Sequence, residues 1–137
     1  MRYLGIDYGQ KRTGLAVSDA GETIASPLKV LTMKRDCLVA GIVEIAKLEN
    51  VDAIVLGLPL NMDGTASSGA KRVRSFAKRI KDSIDVPIHF QDERLSSFEA
   101  RGKLAGADLT RKKKKRRLDA VAAASILQSF LDEKRRK

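Results

Sequence analysis

Ala53-Ile54-Val55-Leu56-Gly57-Leu58 is an unbroken apolar run closed by Pro59. It is too short for a buried helix and leaves no side chain for water. It predicts a strand covered on both faces, the habit of parallel strands in α/β sheets. Outward toward the N-terminus, Leu38, Ile42, Ile45 and Leu48 recur at helical spacing and predict a helix leading into this strand. Before it lie three β-rich segments, residues 3–7, 13–18 and 23–31, the last interrupted at Pro27. The spacers between them are short and rich in Gly, Lys and Asp, which predicts hairpins. Toward the C-terminus, residues 61–68 read as a loop. Val73, Phe76, Ala77 and Ile80 then mark a helix with Lys71, Arg72, Arg74, Lys78 and Arg79 around its outer face. Residues 87–92 form another strand, and Ser96 with Glu99 makes a capping box opening a short helix toward Gly102 or Gly106. Leu118, Val121, Ala122, Ser125, Ile126 and Phe130 mark the last helix. Three hairpin-linked strands followed by strand–helix alternation predict an α/β fold, a mixed sheet covered by helices. With 137 residues and no internal repeat or linker, the expectation is a single domain over residues 1–137.

Composition narrows the function classes. The single Cys37 excludes a disulfide scaffold and a zinc-finger pattern and suits a reducing compartment; with one histidine, His89, a zinc site is not expected. No apolar stretch approaches the roughly 18 residues of a membrane span, so a cytoplasmic protein without a membrane partner is expected. The net charge is +10, and it is concentrated. Residues 1–100 hold 14 basic and 13 acidic side chains, whereas residues 101–137 hold 13 basic and 4 acidic. Most of the excess lies in the run Arg111-Lys112-Lys113-Lys114-Lys115-Arg116-Arg117 and the tail Lys134-Arg135-Arg136-Lys137. Like charges in a row predict an exposed loop before the last helix, ordered when a polyanion binds. Such a run suits phosphate, because each neutralised phosphate releases counterions. With two Tyr, four Phe and no Trp, a base-stacking platform is not expected.

Three acidic positions sit at the ends of elements. Asp7 ends the first strand, Asp92-Glu93 ends the strand that begins at Pro87, and Asp119 opens the last helix. Sites in sheets with parallel strands gather at the strands' carboxyl ends. Carboxylates brought together there repel one another, and a hard divalent cation, Mg²⁺ or Mn²⁺, is the usual remedy. Asp119 shares a helical face with Ala122, Ala123 and Ile126, a small apolar face that turns it toward the sheet. Asp92 and Glu93 point to opposite sides of their strand, and period alone does not choose between them. Glu99 is accounted for by its capping box, and His89 is expected to be structural.

The motifs carry a resemblance. Tyr3-Leu4-Gly5-Ile6-Asp7-Tyr8-Gly9 with Arg12-Thr13-Gly14-Leu15-Ala16-Val17 is one. Val55-Leu56-Gly57-Leu58-Pro59-Leu60-Asn61-Met62-Asp63-Gly64, Asp92-Glu93-Arg94-Leu95-Ser96 and the stretch from Asp119 to Leu127 are the others. In this order, from Met1 to the last helix, they resemble the bacterial YqgF family of pre-16S rRNA nucleases, also described as Holliday-junction-resolvase-like. The resemblance implies a ribonuclease-H-like fold, a five-stranded mixed sheet with helices on both faces. It also implies a cytoplasmic, Mg²⁺- or Mn²⁺-dependent nuclease maturing the 5′ end of 16S rRNA; separately, a monomer or weak homodimer is expected. Its acidic triad, carried over, falls on Asp7, Glu93 and Asp119, as catalytic residues and metal ligands. Two metal ions about 4 Å apart, bridged by Asp7, would activate a water and steady the departing 3′-oxygen. Arg94 would hold a phosphate, or else pair with Glu93 or Glu99. Gly9 would let backbone approach the scissile phosphate, or simply make a turn. Asn61 and Asp63 are candidates for substrate contact, as are Lys112, Lys113, Lys114 and Lys115.

Rival readings are a Holliday-junction resolvase acting on DNA and a non-catalytic RNA-binding assembly factor. An ATP-binding protein of the actin and sugar-kinase class also carries D-x-G after its first strand. It clamps nucleotide between two domains, for which this chain is too short.

Overall fold

The computed structural model describes residues 1–61, 63–65, 67–93 and 111–136, with side chains omitted at Arg35 and at 111–118. The strands are β1 (Tyr3–Tyr8), β2 (Thr13–Ser18), β3 (Ala25–Leu31), β4 (Ala53–Leu58) and β5 (Ile88–Asp92). The helices are α1 (Arg35–Leu48), α2 (Ser68–Ser83) and α3 (Arg111–Arg136). The sheet order is β3-β2-β1-β4-β5. β1, β2 and β3 pair antiparallel through hairpins, while β1–β4 and β4–β5 are parallel. The sequence-derived element order holds among the described residues, and β4 is buried at all six positions. Ser67 caps α2 by accepting from the Ala70 N–H at 3.0 Å. Pro27 lies on the edge strand β3, where the register with β2 shifts between Leu15 and Ala16; an edge bulge tolerates its missing donor.

Alternation splits the strands between two cores. Leu4, Ile6, Leu15, Ile54, Leu56 and Leu58 face α1 and α2, meeting Leu38, Ile42, Val73, Phe76 and Ile80. Tyr8 joins this side and stacks on Phe76, ring centroids 4.1 Å apart. Tyr3, Ala16, Ala53 and Val55 face α3, meeting Ala123, Ile126, Leu127 and Leu131. Tyr3 packs edge-on to Phe130 at 5.2 Å, and its hydroxyl accepts from Lys134 Nζ at 2.8 Å. Among the described residues no helix is long and apolar enough to cross a membrane.

Three expectations change. Arg111–Arg117 is not a loop: its backbone is the start of α3. Lys and Arg are good helix formers, and the packed turns downstream supply the nucleus that an isolated charged segment lacks. Asp119 therefore lies more than two turns inside α3 rather than opening it. Leu48, expected on the buried face of α1, is 71% exposed, and Val39 and Ala46 fill that face instead. The capping box at Ser96 and Glu99 lies outside the described residues.

Candidate acidic site

Asp7 is the last residue of β1 on the α3-facing side, since Tyr3, Gly5 and Asp7 alternate with Leu4 and Ile6. Its partner across the hairpin is Gly14. A Cβ on Gly14 would collide with the carbonyl oxygen of Asp119, so the missing side chain lets the α3 backbone rest on β2. That contact brings Asp119 to the end of the sheet where Asp7 lies. Asp119 is half-buried, and its Oδ2 accepts from Arg12 Nε at 2.7 Å.

Glu93 arrives from the other side. It follows β5 by one residue, and its N–H donates to Leu58 O at 3.3 Å. Counting from Gln91, whose register partner is Gly57, Glu93 falls on the α3 side. Its Oε2 occupies the space a Cβ on Gly57 would fill, with Ile126 beside it. Period had left Asp92 and Glu93 open; the carboxylate on the α3 side is that of Glu93.

Burial and mutual repulsion mark Asp7 and Glu93. Burial raises Asp7 from an ordinary 3.8 to about 6, with Asp119 adding to the rise. Burial likewise raises Glu93 from 4.5 to about 7, with Asp7 and then Asp92 adding. Asp7 and Glu93 thus each feel a neighbouring acid, the mark of carboxylates drawn out of water. Among the described residues, no group of three or more His, Cys, Asp or Glu is gathered tightly enough to enclose one ion. Asp119 is engaged by Arg12. The donor set nonetheless fits a hard cation: oxygen only, brought from β1, the end of β5 and α3, with the Glu93 carboxylate seated in the space that the missing side chain of Gly57 leaves.

A cleft of about 360 Å³ opens beside Glu93, lined also by Tyr8, Gly9, Gln10, Pro59, Gly69 and Arg72. A larger groove, about 560 Å³, lies among Tyr3, His89, Phe130 and Lys134. It contains none of the three acids, so the smaller cleft is the candidate site. His89 sits in that other groove against Phe130, away from the acids. Gly9 makes a tight turn, since a Cβ there would strike the Arg12 carbonyl. Asn61 Nδ2 donates to Thr65 Oγ1 at 2.9 Å, and Asp63 Oδ1 accepts from the same hydroxyl at 2.7 Å; both build their own loop. Arg94 lies outside the described residues, as do the side chains of Lys112, Lys113, Lys114 and Lys115. Sequence reasoning missed Arg12, Gln10 and Arg72. Only the position of Arg12 beside the first motif hinted at a role.

A family model described as "RuvX: Holliday junction resolvase" matches residues 1–133. A protein of Maridesulfovibrio salexigens named "Putative pre-16S rRNA nuclease" is 43% identical over 132 residues, covering 96% of this chain and 98% of the relative. A protein of Endomicrobium trichonymphae with the same name is 45% identical over 135 residues, covering 96% and 95%. Among solved structures, Thermus thermophilus RuvC superposes with a TM-score of 0.60 at 16% identity, covering 98% of this chain and 96% of RuvC. At that identity the likeness speaks for the fold alone, and the fold is ribonuclease-H-like.

Proposed function

The chain belongs to the RuvX family of Holliday junction resolvases, and from that membership we propose a divalent-metal-dependent phosphodiester hydrolase that processes the 5′ end of pre-16S rRNA in the cytoplasm. The observation that carries this reading is that Asp7 and Glu93 lie half-buried at one end of one sheet face, with Asp119 of α3 brought toward the same end by the contact at Gly14. Similarity to curated relatives over nearly the whole chain favours rRNA as the substrate.

Asp7, Glu93 and Asp119 would hold Mg²⁺ or Mn²⁺. When bound, the cation supplies positive charge that activates water near neutral pH and steadies a departing 3′-oxygen. The chain's own residues do the rest. Partial burial of Asp7 and Glu93 keeps bulk water from screening the centre. Gly9 keeps the turn beside the cleft free of a side chain, and Arg72 brings a cation to its rim. The basic first turns of α3 draw a polyanion toward acids that would otherwise repel it. If that run meets about four phosphates, neutralising it flattens the dependence of log K on log[salt] by roughly 3 to 4 units.

The test is cleavage of a 16S precursor beside a four-way DNA junction, with Asp7→Asn as control. Mn²⁺-dependent cut precursor, lost in the variant, is the expected result. Cleavage of the junction alone would transfer the activity to branched DNA, and cleavage surviving in Asp7→Asn would refute the site.

A further inference from the structure

Asp119 does not share its carboxylate with Asp7 and Glu93; it gives it to Arg12, at 2.7 Å between Nε and Oδ2. The two residues are 107 positions apart, so the pair ties the β1–β2 hairpin to α3. Both side chains are about one-third exposed, 33% and 28%. An ion pair that wet contributes little to stability, and α3 is already seated by Leu127 against Gly5 and by its backbone against Gly14. Holding the fold together is therefore a weak reason for it. The position is a better one. The backbone of Arg12 is fixed on one side by the tight turn at Gly9 and on the other by buried Thr13. From there the guanidinium reaches the only acid of the group that α3 contributes.

We propose that Arg12 is a displaceable counter-ion of Asp119: it occupies the carboxylate for which a divalent cation competes, and once the cation is loaded it turns to a substrate phosphate. The proposal rests on the acidic centre argued above. A guanidinium suits both partners, because its planar fork pairs with carboxylate and phosphate alike. One N–H is committed to Asp119, and among the described residues no hydrogen bond takes its remaining donors, which suit an oxyanion. The exchange also solves a charge problem. Cation binding to the three acids frees a positive side chain at the moment the site must accept a polyanion.

The experiment begins with Mn²⁺ titrated calorimetrically into the full-length protein without nucleic acid. Wild type, Arg12→Gln, Arg12→Lys, Asp119→Asn and the Arg12→Gln/Asp119→Asn pair are compared, with thermal midpoints recorded for each. Removing the competitor should tighten Mn²⁺ binding about three- to tenfold in Arg12→Gln. Arg12→Lys should fall between, and the gain should vanish in the Asp119→Asn background. With saturating Mn²⁺, the salt slope for a 16S precursor should drop by about one in Arg12→Gln, the loss of one phosphate contact. Unchanged or weaker Mn²⁺ binding in a folded Arg12→Gln protein overturns the competition, and an unchanged salt slope overturns the turn to phosphate. The underlying reading fails separately. If wild type binds no Mn²⁺, or Asp7→Asn binds it as well as wild type does, the acidic centre falls and Arg12 with it. If Asp7→Asn loses the ion while Arg12→Gln binds it as wild type does, only Arg12 falls.

Discussion

The two faces of the sheet are made by the same strands and solve opposite problems. Toward α1 and α2 the strands present Leu4, Ile6, Leu15, Ile54 and Leu56, and Phe76 fills the space between. Toward α3 they present Gly5, Asp7, Gly14, Ala16, Ala53 and Gly57. The first face gains stability from buried volume; the second gives up volume for closeness, with a helix backbone resting on strand backbone. Only the second can bring a carboxylate from α3 to the end of β1. The difference teaches that the placement of this site is owed to side chains that are missing as much as to those present.

Asp7 and Ile6 are neighbours on opposite faces and give the sharpest contrast. Asp7→Asn should lower Mn²⁺-dependent cleavage by about a thousandfold, roughly 4 kcal/mol, with an unaltered or higher thermal midpoint. Ile6→Ala should do the reverse. It should cost about 2–5 kcal/mol in denaturant unfolding while the folded fraction keeps its cleavage rate. Were Asp7→Asn to unfold the protein, the division of labour between the faces would be broken.

Gly14→Ala asks whether closeness is the principle of the second face. One added methyl meets the Asp119 carbonyl, so α3 must shift. A loss of about 1–3 kcal/mol is expected, with reduced cleavage because Asp119 moves with the helix. The same change in a loosely packed face would be tolerated, so a stable, fully active variant would contradict the contact.

The smallest effect is electrostatic. Asp7 has a folded value near 6 against an ordinary 3.8, and Glu93 about 7 against 4.5. The metal-free folded state therefore holds protons more tightly than the unfolded chain between about pH 4 and pH 7. The contribution of these two groups to stability is most favourable below that window and is lost as pH rises through it. Relative to wild type, Asp7→Asn should gain about 1–2 kcal/mol between pH 4 and pH 7.5, read as the difference between two unfolding curves. A flat difference would mean the acids are solvated and the second face is open.

How much of this was legible follows the range of the interactions. β4 was readable because an unbroken apolar run has one simple outcome, and the inward turn of Asp119 because Ala122, Ala123 and Ile126 mark a helix face. The start of α3 was not, because charge repulsion along the run points to a loop, whereas helix propensity and continuity with packed turns prevail. Strand period did not choose Glu93 either; the resemblance of the Asp92-Glu93-Arg94 motif did, and the room for its carboxylate comes from Gly57 in another strand. Arg12 and Asp119 meet across the chain, and no local pattern announces that pair. Gly14 and Ala16 do stand two residues apart on one face, and small residues at that period are a usable sign that a helix will sit close.

One strand also makes the molecule its own optical instrument. The chain has two tyrosines and no tryptophan, and both tyrosines are on β1, at its two ends and on opposite faces. Tyr3 touches Phe130 of α3, and Tyr8 lies flat on Phe76 of α2, one residue from Asp7. Near-ultraviolet circular dichroism therefore carries one signal from each layer. With Tyr3→Phe and Tyr8→Phe to assign them, loosening of α3 can be followed apart from loosening of α2, without any attached label.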